Sequence, residues 1–167
     1  MNKVYLSLGS NLGDRNMHLQ NCMALLTEQA GEVIKASSVY KTEPWKMENA
    51  NGFLNQVILL DTRLTAHDLM DTLLDIENQM GRVRTSTSNN THYESRVIDI
   101  DILLYNNSII ATEKITIPHP LLHLRKFVLE PFSELDENQV HPILNKSIKT
   151  ILAECRDVYE VERSMSK

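Results

Sequence analysis

Two spacings of apolar residues divide this chain into elements. Lys3 to Ser10 is a short run of Val, Tyr and Leu that ends at Gly9-Ser10-Asn11, the pattern of a strand. Asn11 to Asp14 supplies turn and capping residues. From there to Ala30 the positions Met17, Leu19, Met23 and Leu26 fit a helix, which Gly31 stops. Val33 to Thr42, rich in β-branched and small residues, predicts a second strand. Glu43 to Gly52 is polar, holds Pro44 and reads as a loop. Phe53 to Thr62 predicts a third strand. Thr65 to Met80 predicts a second amphipathic helix, with Leu69, Leu73, Ile76 and Met80 on one face and Gly81 at its end. Residues 85–95 are a polar loop. Val97 to Tyr105 is the fourth strand, and Asn106-Asn107 predicts a hairpin turn to Ser108–Ile110. Beyond Leu121 short helices alternate with loops.

The order β-α-β-β-α-β predicts an α+β fold, a ferredoxin-like sandwich with an added hairpin and a C-terminal helical region. Neither a repeat nor a linker interrupts it, so 1–167 is expected to be one domain. That fold serves many functions, and chemistry must be read from side chains.

The fourth strand carries the strongest signal. Asp99 and Asp101 stand two apart in an otherwise apolar, β-branched run. Alternate strand residues share a face, so both carboxylates point one way while Ile98, Ile100, Ile102 and Leu104 point the other, into a core. Paired carboxylates repel unless a cation lies between them. Hard oxygen ligands of this kind suit Mg²⁺, which fills its other positions with water and phosphate oxygens. The alternative is a solvated strand face, against which stands the depletion of Asp in strands.

Basic residues flank this strand. Arg82 and Arg84 follow the second helix and Arg96 precedes the aspartates. Guanidinium groups grip phosphate bidentately and keep their charge at neutral pH. Carboxylates for a metal beside cations for phosphate make a Mg²⁺–polyphosphate site; the competing reading is surface ion pairing with Glu77 or Asp75. Ile117-Pro118-His119-Pro120 holds a conformationally restricted histidine, followed by Arg125. Both are candidate phosphate donors, with Lys114 and Thr116 one strand-step away; an incidental turn is the alternative. Trp45, the single tryptophan, lies in a polar loop near Phe53 and Asn55. Aromatic faces stack on flat heterocycles and an amide reads their edges. Trp45 as a core plug competes with that reading.

Composition limits the partners. A net charge of -5 argues against bulk electrostatic binding of nucleic acid. No apolar run approaches the length of a membrane span. Cys22 and Cys155 have no metal-ligand spacing, and Val4–Leu8 is too short for the apolar core of a signal peptide, so a reducing cytoplasm is expected. The P-loop ending and the motifs of covalent catalysis are missing.

With these residues in view, the chain resembles the 6-hydroxymethyl-7,8-dihydropterin pyrophosphokinase family over nearly its whole length. The resemblance rests on Leu8-Gly9-Ser10-Asn11-Leu12-Gly13, Tyr40-Lys41-Thr42-Glu43-Pro44, Phe53-Leu54-Asn55, Gly81-Arg82-Val83-Arg84, Arg96-Val97-Ile98-Asp99-Ile100-Asp101 and Ile117-Pro118-His119-Pro120. It implies transfer of pyrophosphate from ATP to the hydroxymethyl oxygen of the dihydropterin, with release of AMP, in folate biosynthesis. By the same resemblance, Asp99 and Asp101 hold two Mg²⁺ ions and Arg82, Arg84 and Arg96 meet the phosphates. Glu77, Lys114, Thr116, His119 and Arg125 complete the ATP site. Thr42, Glu43, Trp45, Phe53, Asn55 and Phe127 form the pterin pocket. Many members carry Trp-Gly-Pro before the signature arginine; here Tyr93-Glu94-Ser95 stands there, and Tyr93 is assigned to the pterin pocket. The expected partners are ATP and the dihydropterin, without nucleic acid or membrane, and a monomer is expected. Loops 43–52 and 85–95 are expected to order when both substrates bind. The rivals are a Mg²⁺-dependent phosphohydrolase, which would cleave ATP without an acceptor, and a nonenzymatic ferredoxin-like ligand-binding module.

Overall fold

Strand β1 (Asn2–Ser10) is buried along both faces, and this makes it the centre of the sheet. The structure, a computed structural model, describes residues 1–42, 52–81 and 97–164. On one side β1 pairs antiparallel with β4 (Phe53–Thr62), Leu6 opposite Ile58; on the other it pairs antiparallel with β5 (Asp99–Tyr105), Leu6 opposite Ile102. β2 (Glu32–Ala36) and β3 (Tyr40–Thr42) pair with opposite ends of β4, and a late strand, β10 (Val161–Arg163), extends the sheet on β3. The result is a mixed α/β chain built on an antiparallel sheet.

Helices α1 (Arg15–Gln29) and α2 (Ala66–Gln79) cover one face. Each starts at a capping residue visible in the sequence: Asp14 accepts the Met17 N–H at 3.0 Å and Thr65 accepts the Asp68 N–H at 3.2 Å. Leu19, Cys22 and Leu26 of α1 and Leu69, Leu73 and Ile76 of α2 pack on Val4, Leu6, Leu8, Ile58, Ile100 and Ile102. Gly31 follows α1 with φ of 155°, and any Cβ there would lie 2.2 Å from the Asp61 carbonyl oxygen. A side chain would force α1 away from β4.

The described residues cover the opposite face over part of its length. Tyr5, Val57, Leu59, Leu103 and Leu104 meet Val128, Leu129 and Phe132 of α3 (Lys126–Asp136) and Ile148 and Ile151 of α4 (Ile148–Glu154). The Tyr5 and Phe132 rings lie 4.6 Å apart, and the Tyr5 hydroxyl donates to Asp136 at 2.7 Å. Between α3 and α4 runs the small pair β8 (Val140–His141) and β9 (Lys146–Ser147).

Four expectations need correction. The strand foreseen over Val33 to Thr42 is broken: a bulge interrupts β2 between Val33 and Lys35, and the Ser37 hydroxyl takes the Val57 N–H at 3.1 Å, so pairing resumes only at Tyr40. Asn106-Asn107 does turn, with Asn106 at φ of 48°, but it does not close a hairpin on β5. The added hairpin is β6 (Ile110–Ala111) with β7 (Thr116–Ile117), around 112–115. Leu104 does not share the core of Ile98, Ile100 and Ile102. The β1–β5 register slips between Tyr5 and Leu6, leaving Leu103 as the extra residue, and Leu104 faces the α3 side opposite Tyr5. Val97 and Ile98 precede β5 rather than open it.

Candidate active site

Strand periodicity decides what the second face displays beyond the part that the described helices cover. Residues directly opposite in a ladder share a face. Gly9 of β1 lies opposite Asn55 of β4 and opposite Asp99 of β5, and Ser7 lies opposite Val57 and Asp101. Tyr40 and Thr42 of β3 pair with Asn55 and Phe53. One surface therefore carries Thr42, Phe53, Asn55, Gly9, Ser7, Asp99 and Asp101, just beyond the apolar half sealed by α3. Both aspartates are half-buried, which confirms that they share a face.

Within this surface the parts are held firmly. Asn55 is buried and its Nδ2 donates to Thr42 Oγ1 at 3.0 Å. Its Oδ1 lies over Gly9, 3.3 Å from where a Cβ would be, with Phe53 beyond. Glycine in a central strand is unfavourable for pairing and marks a close approach. Ser10 Oγ donates to the Val97 carbonyl at 2.6 Å and ties the end of β1 to the lead into β5.

The edge of β5 is built from two sides. From α2, the buried carboxylate of Glu77 accepts the Ile100 N–H at 2.8 Å, so the backbone between the aspartates is pinned from behind. From the hairpin side, the His119 N–H donates to the Leu103 carbonyl at 3.0 Å and sets the histidine beside Asp101. His119 Nε2 lies 3.8 Å and Arg125 Nη1 4.0 Å from Asp101 Oδ2. Arg125 also stands over the Phe127 ring at 5.6 Å.

His119 is neutral at physiological pH. Burial lowers its pKa to about 4, helped by the Arg125 charge and opposed by Asp99. Its Nδ1 accepts the Leu121 N–H at 3.1 Å, so the ring proton sits on Nε2. The 3.8 Å approach to Asp101 thus joins a neutral N–H donor and a carboxylate, not an ion pair.

The structure brings together Thr42, Phe53, Asn55, Asp99, Asp101, His119, Arg125 and Phe127. Glu77 belongs to the same site but lies behind the strand. Lys114 is exposed and ion-paired with Asp71 of α2, and Thr116 is exposed on β7. Glu43, Trp45, Arg82, Arg84, Tyr93 and Arg96 lie outside the described residues, as do loops 43–52, save Gly52, and 85–95. Gly9 as a platform was not singled out from the sequence; its signal was a glycine inside an apolar strand. Among the described residues no three His, Cys, Asp or Glu side chains form a metal cage. Two carboxylates on one strand face fit Mg²⁺ that shares its shell with water and phosphate oxygens.

A family model described as 7,8-dihydro-6-hydroxymethylpterin-pyrophosphokinase (HPPK) matches residues 5–137. The chain is 38% identical over 149 residues to the 2-amino-4-hydroxy-6-hydroxymethyldihydropteridine pyrophosphokinase of Aquifex aeolicus, covering 89% of each chain. It is 39% identical over 135 residues to the Bacillus subtilis protein of that name, covering 80% of this chain and 78% of the relative. Among solved structures, Plasmodium falciparum HPPK-DHPS, wild type with pteroate, superposes with a TM-score of 0.75 at 16% identity. That match covers 92% of this chain and 44% of the longer one, and shows the shared fold.

Proposed function

The chain belongs to the 7,8-dihydro-6-hydroxymethylpterin-pyrophosphokinase family, and we propose from that membership how its open sheet face works. The protein transfers the pyrophosphoryl group of ATP to the hydroxymethyl oxygen of 6-hydroxymethyl-7,8-dihydropterin in folate biosynthesis, and AMP leaves. The observation that carries the site assignment is the row Asn55–Gly9–Asp99 across three adjacent strands. It sets a hydrogen-bonding amide, a bare backbone platform and a carboxylate side by side on one rigid surface.

The pterin lies over Gly9 in this reading. Thr42 holds the Asn55 amide nitrogen, which leaves Asn55 Oδ1 to accept from an edge of the heterocycle. Phe53 and Phe127 bound the ring faces, with Glu43, Trp45 and Tyr93 assigned to the same pocket from sequence. ATP lies toward Asp101. Arg125 supplies a permanent cation to the phosphates, and neutral His119 donates through Nε2–H without needing a proton from solvent. Arg82, Arg84, Arg96, Lys114 and Thr116 complete the nucleotide side, and Glu77 holds the strand between the aspartates. Two Mg²⁺ ions on Asp99 and Asp101 would supply charge neutralisation and alignment of the triphosphate. The protein's own work is positioning: the acceptor hydroxyl and the β-phosphorus meet in fixed geometry, and a protein nucleophile is not needed.

The same reading takes residues 1–167 as one pyrophosphokinase domain, ferredoxin-like in topology. It is supported by the antiparallel order β3-β4-β1-β5 with α1 and α2 on one face. A cytoplasmic monomer belongs to the same reading; both cysteines are free, and among the described residues no helix is long and apolar enough to cross a membrane.

Mixing the protein with MgATP and hydroxymethyl-dihydropterin is expected to yield AMP and pterin diphosphate in equal amounts, with no AMP when the pterin is left out. Phosphate or pyrophosphate released from ATP at the same rate without pterin would overturn this reading in favour of a hydrolase.

A further inference from the structure

Helix α3 begins without a capping side chain of its own. Its N-cap residue is Arg125, which makes no cap hydrogen bond and has no acceptor to offer. The Arg125 carbonyl takes the N–H groups of Val128 and Leu129. The first N–H of the helix, that of Lys126, is received by Asp157 Oδ2 at 3.0 Å, from 31 residues downstream. The other oxygen of the same carboxylate accepts the Tyr159 N–H at 3.1 Å, which fixes its direction. A carboxylate here also complements the positive end of the helix dipole.

The segment that follows is fastened again at its far end. Val161 pairs with Thr42 and Arg163 with Tyr40, and the Ser164 N–H donates to the Val39 carbonyl at 2.7 Å. Arg163 Nε donates to Ser38 Oγ at 2.8 Å, and its Nη2 lies 3.6 Å from Glu134 of α3. The tail from Asp157 to Ser164 therefore ties the start of α3 to β3. These elements carry Arg125 and Phe127 on one side and Thr42 on the other. The capped residue, Lys126, stands between Arg125, 4.0 Å from Asp101, and Phe127, 5.6 Å below the Arg125 guanidinium.

We propose that Asp157 is a positioning residue for the transfer reaction: by capping α3 it sets Arg125 and Phe127 against Asp101. The proposal rests on the ATP and pterin assignments above. It concerns a position beyond residue 137, where the family match ends.

A double-variant cycle on the full chain tests it. Asp157→Ala is expected to lower kcat/KM about tenfold, mainly through raised KM for both substrates, at a temperature where the protein is fully folded. Asp157→Asn keeps an acceptor and is expected to recover to within about threefold of wild type. Lys126→Pro removes the N–H that Asp157 receives. Arg125, at φ of -114° and ψ of 101°, already has the backbone that a following proline requires. In that background Asp157→Ala is expected to change KM less than about twofold. Unchanged KM in Asp157→Ala, or an equally large loss with and without Lys126→Pro, overturns the proposal. Should Asp157→Ala not fold alone, Lys126→Pro against Lys126→Pro/Asp157→Ala decides: matching KM values support it and a tenfold gap sinks it. Wild-type protein that makes no AMP overturns the assigned reaction and the proposal with it, whereas wild-type turnover with indifferent Asp157 variants overturns the proposal alone.

Discussion

Glu77 reaches from α2 to accept the N–H of Ile100 at 2.8 Å, at the one residue that separates Asp99 from Asp101. The residue is 1% exposed. It satisfies a backbone donor on the side of β5 turned away from β1, so the spacing and tilt of the aspartates are set by a buried group on the opposite layer. Replacing Glu77 by Ala strands that N–H and is expected to cost about 1–3 kcal/mol. Glu77→Gln keeps a carbonyl acceptor and is expected to retain most of the stability. Urea unfolding of the two variants checks this. Equal losses in both would mean that the charge, not the acceptor, is what matters.

Asp99 and Asp101, unlike Glu77, are proposed to serve the chemistry directly. Asp99→Asn and Asp101→Asn are each expected to reduce AMP formation by at least about 10²-fold. The folded state is expected to survive both, because each swap keeps the shape of the side chain and Asp101 exchanges its approach to Arg125 for relief of repulsion from Asp99. A variant that keeps near-normal turnover, measured at saturating MgATP and pterin, would remove that residue from the metal site.

Local signals made part of this molecule legible. Asp14 and Thr65 as helix starts, Asp99 and Asp101 on one face, and the long run of β4 all follow from spacing within a few residues. The misses share another cause. The bulge at Leu103 is set by register against β1, and the break at Ser37 by a side chain competing for the Val57 N–H. The Asp157 cap joins groups 31 positions apart, and β10 finds β3 across most of the chain. Such contacts arise from tertiary pairing, on which periodicity along the chain carries no information. The site was readable where its residues ride one strand; its support was not, because it arrives from other layers.

Gly9 offers a sharper test of the pterin platform. A methyl group there would stand 3.3 Å from Asn55 Oδ1, tighter than ordinary contact, and would fill the space above the backbone. Gly9→Ala is expected to raise the KM for hydroxymethyl-dihydropterin about tenfold and leave the affinity for an ATP analogue within about twofold of wild type. Stability should change little, because alanine suits a strand no worse than glycine. Equal losses for both ligands would place the pterin elsewhere.

Acid sensitivity begins with the histidines and continues with Glu134. His141 is buried, and its Nδ1 accepts the N–H groups of Ile143 and Leu144 at 3.3 and 3.2 Å, bonds that protonation would break. Burial, and next the charge of His123, lowers its pKa below the ordinary 6.5. The unfolded chain therefore takes up a proton near 6.5 while the folded one does not, so this stability is complete above that pH and is lost as pH falls toward the depressed value. His119, lowered to about 4, acts with the same sign. Glu134 acts at lower pH. Burial alone would raise its pKa, but hydrogen bonds from Tyr40 and Ser38 and the charge of Arg163 hold it below the ordinary 4.5. Its contribution is present above 4.5 and disappears as pH drops through the depressed value. Urea midpoints measured against pH are expected to decline below 6.5 and decline further below 4.5. His141→Asn, which keeps an acceptor that does not titrate, should make the upper decline shallower and leave the share of His119, and Glu134→Gln should make the lower one shallower. Identical profiles for wild type and His141→Asn would show that His141 keeps its proton equilibrium unchanged on folding.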